Sequence, residues 1–404
     1  MAALSARRRG VQADLPEPDE AACAHSAVLT AVIRDAVRAE GGAIPFSRYM
    51  ELALYAPGLG YYSAGARKFG RAGDFVTAPE LGPLFAQCVA EAVAPVLSRF
   101  PDAQFLELGG GSGAFAQDVL VHLALLDAVP ARYAILEPSA DLRERQRERL
   151  TDALPPALME RVTWLDGPPE ADWRGVLFAN EVLDALPTPR FTLRGGEVFE
   201  EHVALDPEGQ LLRVDQPADA FLRAAVRHIE RDLGEPLPEG MRSEVLPQLP
   251  YWIQAVGGLL REGAMLFVDY GHSRRDYYAP ERLQGTLRGF HRHRLVDDPF
   301  LWPGLTDLTA SVDFTALAEA GVGAGFELAG YCSQSAFLLG NRLVDCFQTL
   351  HGIAPDEATR YALAQQVKQL TLPGAMGEAF QVMGFTRGVE LTHAFLQGDQ
   401  RWRL

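Results

Sequence analysis

"QFLELGGGSGAFAQDVLVHLALL" (residues 104–126) decides the fold. The apolar residues Phe105, Leu106 and Leu108 predict a strand, and the helical spacing of apolar residues from Ala114 onward predicts a helix. Between them, Gly109, Gly110, Gly111 and Gly113 predict a tight turn. Strand, glycine turn and helix open a βαβ unit, and the same rhythm continues downstream. "RYAILE" (132–137) reads as a second strand and "PSADLRERQRERL" (138–150) as a helix with Ser139 at its N-cap. "RVTWLD" (161–166) and "GVLFANEVLDALP" (175–187) supply strands three and four. Such alternation predicts an α/β fold, a parallel sheet with right-handed crossovers and helices on both faces.

Beyond Pro189 the alternation stops. "RFTLRGGEVFEEHVALDPEGQLLRV" (190–214) reads as short antiparallel strands and "ADAFLRAAVRHIERDL" (218–233) as a helix. Residues 188–248 therefore form an inserted α+β subdomain. The core resumes with a helix at "LPYWIQAVGGLL" and a fifth strand at "GAMLFVDYG"; "GFELAGYCSQSAFLLG" (325–340) fits two strands at the end of the sheet. The expected organisation is a disordered tail (1–24), an N-terminal helical region (25–100), a core (101–187 and 249–340) and a helical C-terminal region (341–404).

The chain has 404 residues with 48% hydrophobic and 22% charged side chains, the balance of a globular protein. Its net charge of −16 disfavours nucleic acid and anionic membranes as partners. No apolar run is long enough to span a bilayer. The first residues contain three arginines but no apolar segment of a secretory signal, and Asp14, Glu17, Asp19 and Glu20 argue against a transit peptide. Cys23, Cys88, Cys332 and Cys346 form no CxxC pair, which points to a reducing compartment and no zinc site. The expected location is the cytoplasm, or the mitochondrial matrix in a eukaryote.

The ligand of the glycine turn is the functional question. Gly109, Gly111 and Ala114 match the dinucleotide spacing G-x-G-x-x-[GA], but a tight turn needs glycines with or without a ligand. Glu107, two residues before the first glycine, discriminates. A pyrophosphate at a helix N-terminus is opposed by a neighbouring carboxylate. The positive groups of an amino acid sulfonium such as S-adenosylmethionine suit one. Glu137, at the end of strand two, is placed to accept from ribose hydroxyls, with Ser139 beside it. Asp166, at the end of strand three, is placed to meet an adenine amino group. The bland alternative for each acid is a solvated strand end. Asp74, Thr77 and Pro79 in "GDFVTAPE" are candidates to close over the donor; a turn with a helix cap is the alternative.

Asn180, Glu181 and Asp184 follow the fourth strand, at the edge where open parallel sheets bind ligands. Carboxylates pair with a guanidinium in two-point geometry and stabilise a cation there. Glu181 is the first candidate for orienting such a substrate and Asp184 the second, whereas a helix cap with exposed acids would need no substrate. "TLRGFHRHRL" brings Arg288, His291 and His293 together. H-x-H has no visible third ligand for a metal, so the three are read as lining a substrate channel, with a surface loop as the alternative, and His291 is a candidate proton acceptor.

With these residues in place, the chain resembles the MidA family of class I methyltransferases. The resemblance rests on "RKFGRAGDFVTAPELGPLFAQ", "FLELGGGSGAFAQDVL", "YAILEPSADLRERQ", "ANEVLDALPTPRF", "VDYGH", "GTLRGFHRHRLVDDPFLWPGLTDLTASVDFTAL" and "GFELAGYCSQSAFLLG", spread from about residue 44 to 385. It implies a Rossmann-like sheet of seven strands with an insertion, S-adenosylmethionine at Glu107, Gly109, Gly111 and Gly113, a protein arginine as acceptor, and a role in respiratory complex I assembly. Two other classes stay open on the residues alone: a non-catalytic assembly chaperone on the same fold, and a nicotinamide-dependent oxidoreductase.

Overall fold

The computed structural model describes residues 15–64 and 77–404, and within them the chain divides into two compact units. One unit comprises residues 76–184, 247–277 and 311–404; the other comprises residues 1–75, 185–246 and 278–310.

The first unit is the α/β core. In chain order it contains α1 (Leu84–Leu97), β1 (Gln104–Leu108), α2 (Ala114–Leu125), β2 (Arg132–Leu136), α3 (Ala140–Ala153), β3 (Val162–Leu165) and β4 (Trp173–Asn180). After the excursion into the other unit come α4 (Leu249–Gly257), β5 (Leu260–His272), β6 (Val312–Asp313), α5 (Phe314–Gly323) and β7 (Glu327–Ser333). The C-terminal part adds α6 (Gln334–Gly340), α7 (Leu343–Ile353), α8 (Glu357–Thr371) and β8 (Phe380–Arg387).

The strands form one sheet in the order β7-β8-β5-β4-β1-β2-β3, with the two-residue β6 pairing beside β5. Strands β5, β4, β1, β2 and β3 run parallel, and β8 is antiparallel to both β5 and β7. The order reverses between β1 and β4, which is where a doubly wound sheet opens a ligand crevice. Helices flank the sheet, and the layer beneath α1 and α2 is aromatic. Phe115 stacks on Phe178 with ring centroids 4.2 Å apart, and Phe85 and Phe105 pack around them.

The end of the sheet departs from the sequence expectation. The stretch 325–340 holds one strand, β7, followed by helix α6, whose first turn is capped by Ser333. The antiparallel partner is β8, inside the tail expected to be helical. Val382, Met383 and Phe385 are consecutive or near-consecutive and all buried. A strand covered on both faces loses the alternation that marks a half-exposed strand, so its pattern does not separate it from a buried helix.

The second unit is antiparallel. Its five-stranded sheet runs in the order Ala43–Pro45, Glu197–Leu205, Arg190–Arg194, Arg242–Glu244, with Leu211–Pro217 pairing Glu197–Leu205. A second sheet joins Arg294–Val296, Arg288–His291 and Asp307–Thr309. Helices Glu20–Ala39 and Phe46–Tyr55 pack Leu29, Ile33, Phe46 and Tyr49 into a core with Val203 and Leu308. The first helix begins at Glu20, capped by Asp19, inside the stretch expected to be a disordered tail. Residues 278–310, expected to belong to the core, fall in this second unit, and the expected N-terminal region 25–100 is divided between the two.

Candidate active site

The register brings the carboxyl ends of the central strands level. Leu108 of β1 pairs with Leu136 of β2 and Ala179 of β4, and Asn180 of β4 pairs with Val268 of β5. Four short stretches therefore share one edge: Glu107 to Gly113, Glu137 to Ser139, Asn180 to Asp184, and Asp269 to Tyr270.

The glycine turn needs its glycines for two reasons. Gly109, Gly111 and Gly113 have φ of +67°, +53° and +81°, left-handed values that side chains rarely adopt. Gly110 is needed for space: a Cβ there would lie 2.8 Å from Ile135 Cγ2 and 3.0 Å from Gln146 Nε2. Gln146 of α3 sits at the centre of this packing, donating to the Gly111 carbonyl at 2.9 Å and to Glu137 Oε2 at 3.3 Å. The sequence reading missed Gln146. It is a fully buried polar residue in an otherwise solvated helix, "DLRERQRERL", and only its spacing from Leu142 and Leu150 could have signalled it.

Glu107 and Glu137 are both buried. Burial pushes the Glu107 carboxyl up to about 8; the Tyr133 hydroxyl, donating at 2.8 Å, opposes the shift, and the Glu137 charge adds to it. Burial also raises Glu137, against hydrogen bonds from the Ser139 amide at 3.0 Å and from Gln146. Ser139 caps α3 as expected, accepting from the Leu142 amide. Asp166 differs: its carboxylate is 96% exposed and accepts from Arg143 Nη1 at 2.6 Å. Arg143 also donates to the carbonyls of Glu137 and Leu165, tying the ends of β2 and β3 together.

Thr77 precedes a one-turn 3-10 helix, Ala78–Leu81, with Pro79 in its first turn. Glu80 of this turn accepts a short hydrogen bond from Ser112, and Arg149 donates to the same hydroxyl at 3.1 Å. The segment is thus fastened to the glycine turn through Glu80, which the sequence reading did not single out. Asp74 lies outside the described residues.

At the end of β4, Glu181 has φ of +54°, a strained value for a residue with a side chain. Its amide donates to Val268 at 2.9 Å, and its Oε1 accepts from Asn180 Nδ2 at 3.1 Å. Asn180 Oδ1 is buried with no hydrogen-bond partner among the described residues. Asp184 is buried and accepts from the Tyr270 hydroxyl at 2.5 Å. A third acid, Asp269, stands beside them, its Oδ2 accepting from the Leu183 and Asp184 amides at 3.0 and 3.3 Å. Burial, then the charges of Asp184 and Glu181, hold the Asp269 carboxyl well above the ordinary range. An acid closing the apolar run "MLFV" was the signal for it.

His291 belongs to the second unit. It is buried, with Nδ1 2.8 Å from the Leu305 carbonyl and Nε2 lacking a partner among the described residues. The H-x-H spacing has a local cause: Arg292 and His293, with φ of +48° and +62°, are the two turn residues of the hairpin in which His291 pairs with Arg294.

Residues 85–332 match the model of a family of S-adenosyl-L-methionine-dependent methyltransferases. The chain belongs to this family, the MidA family of class I methyltransferases. Among curated proteins, it is 30% identical to the mouse mitochondrial protein arginine methyltransferase NDUFAF7, over 90% of this chain and 84% of that one. The human protein of the same name is 29% identical over 90% and 83%. Among solved structures, a Burkholderia thailandensis protein described as a methyl transferase and bound to S-adenosyl-homocysteine is 42% identical, with a TM-score of 0.89 over 97% of this chain and 100% of that one.

The methyltransferase has residues that fit S-adenosylmethionine as donor. Buried carboxylates at the ends of β1 and β2 flank a turn of left-handed glycines, a setting that suits an ammonium and ribose hydroxyls and opposes a pyrophosphate. Among the described residues no helix is long and apolar enough to cross a membrane.

Proposed function

We propose that this methyltransferase methylates an arginine of a protein partner, and that the partner is a subunit of respiratory complex I, as the family resemblance implies. The observation that carries the arginine reading is the group of acids at the ends of β4 and β5, Glu181, Asp184 and Asp269, with Asn180 beside them. The names of the relatives support it.

S-adenosylmethionine supplies a methyl group bonded to a sulfonium sulfur. Glu107 holds the donor's ammonium, Glu137 and Ser139 its ribose, and Asp166 its adenine. Gly109, Gly111 and Gly113 let the backbone approach, Asn180 closes the far side, and Thr77 and Pro79 cover it. Glu181 pairs with the guanidinium and aims one nitrogen; Asp184, oriented by Tyr270, supports the second nitrogen. Fixed carboxylates stabilise the cation at the acceptor without reorganising, and alignment supplies much of the rate. The acceptor nitrogen loses one proton for each methyl it gains, and the paired carboxylates pass that proton to solvent.

The test is a labelled methyl-transfer assay with purified enzyme on a lysate from cells lacking it, followed by mass spectrometry of the labelled band. Methylated arginine in a complex I subunit is the expected result. The absence of any labelled protein overturns the protein-substrate reading, and label on another partner overturns the complex I assignment.

A further inference from the structure

On the core unit, three helices separated in sequence bring together four side chains that metals favour. Cys88 and Glu91 lie on α1, His122 on α2 and Cys346 on α7. A ligating atom from each of Glu91, His122 and Cys346 lies within 4.8 Å of the other two. His122 Nε2 is 3.0 Å from Glu91 Oε1, and these side chains are 12% and 15% exposed. His122 Nδ1 is buried with no hydrogen-bond partner among the described residues. Cys346 is buried, and the fully buried Cys88 thiol stands beside it. Arg342 Nη1 lies 3.8 Å from the other Glu91 oxygen, on a side chain that is 61% exposed.

We propose that Cys88, Glu91, His122 and Cys346 form a structural zinc site that fastens the C-terminal helix α7 to α1 and α2. The proposal is independent of the arginine reading. Two sulfurs, one imidazole nitrogen and one carboxylate oxygen form a donor set that tetrahedral zinc favours. Zinc bonds of about 2.0 to 2.3 Å require the Glu91, His122 and Cys346 atoms to move about 1 Å closer than their 4.8 Å spread, and the Cys88 sulfur, outside that group, to turn in from one helical turn before Glu91. The metal would deprotonate both thiols outright. Two thiolates and one carboxylate then exceed the charge of the ion, and Arg342 is placed to offset the surplus. Sequence spacing hid the set, because Cys88 and Cys346 are 258 positions apart along the chain.

The experiment uses the full-length protein, freed of any affinity tag and stripped of metal, titrated with Co2+ alone. The expected result is saturation at one equivalent, with tetrahedral visible bands and intense sulfur-to-cobalt charge transfer, all displaced by Zn2+. Zn2+ should also raise the melting temperature, because it binds the folded chain. Cys88→Ser should about halve the charge-transfer intensity; Cys346→Ser and His122→Ala should weaken Co2+ binding at least tenfold. Glu91→Gln, which preserves volume, serves if another variant fails to fold and should weaken binding similarly. Weak octahedral cobalt spectra in the wild type overturn the proposal. So does tight binding that the substitutions leave unchanged.

Discussion

Both units bury carboxylates, and they treat them in opposite ways. In the second unit Glu201 and Glu244 are fully buried, and each meets an arginine. Arg190 donates to Glu201 at 2.9 Å and to Glu244 at 2.9 Å, and Arg242 reaches Glu201 and Asp215. The Arg242 and Arg194 guanidiniums hold the Asp215 carboxyl below its usual range against the cost of its burial. In the core unit Glu107 and Asp269 are as deeply buried, but Glu107 accepts from the Tyr133 hydroxyl and Asp269 from the Leu183 and Asp184 amides. Burial pushes Glu107 and Asp269 up accordingly. A paired buried charge is explained by the fold that holds it. A buried acid without a cation opposes folding in its ionised form, and a cationic ligand relieves that cost.

The largest effect expected from this contrast is on stability. Removing one partner of a buried ion pair strands the other, at a cost of about 3–5 kcal/mol. Arg190→Met takes the arginine from Glu244 and one of its arginines from Glu201, so the melting temperature should fall by at least about 5 °C. Calorimetry reads it; a stable Arg190→Met protein would show that the network contributes little.

The next effect is on rate. Glu181→Gln should lower turnover by about 10²–10³-fold, the scale of losing one preorganised charged group, while the Kd for S-adenosyl-homocysteine changes less than about twofold. Equal losses in binding and turnover would move Glu181 from the acceptor to the donor side.

Asp269→Asn tests the unpaired class directly. The folded protein holds this carboxyl above its unfolded value, so its contribution to stability is present at low pH and lost as pH rises. Without ligand the variant should be at least as stable as wild type at pH 8, yet turn over about tenfold more slowly, because an amide cannot ionise when an arriving guanidinium favours the charged form. A clear drop in melting temperature would place Asp269 with the structural acids.

The sequence shows the parts of this contrast unevenly. The five parallel strands, the glycine turn and the acids at strand ends are local, because a strand end and its side chains share a few residues. Glu107, Glu137, Glu181 and Asp184 were readable for that reason. What pairs with an acid is not local. Glu201 resembles any exposed acid on a strand until Arg190 and Arg242 are placed beside it. Gln146 and Glu80 act through the glycine turn from neighbouring elements. Strand β8 was hidden because burial on both faces removes its alternation, and the Cys88–Cys346 approach was hidden by distance along the chain.

The smallest expected effect is also the most diagnostic for the donor side. With its carboxyl at about 8, Glu107 is largely protonated in the ligand-free protein near pH 7. Its folded value lies above the unfolded one, so the group's favourable contribution is lost as pH rises from about 4.5 to about 8. Glu107→Gln keeps a partner for the Tyr133 hydroxyl and cannot ionise. At pH 8.5 it should melt about 2 °C or more above wild type. An ammonium arriving beside Glu107 favours the charged form, so binding S-adenosyl-homocysteine near pH 7 should release a fraction of a proton. Titration calorimetry in buffers of different ionisation enthalpy measures that release, and Glu107→Gln should abolish it. Equal proton release in the two proteins would mean that Glu107 does not face the donor's ammonium and is buried only to hold Tyr133.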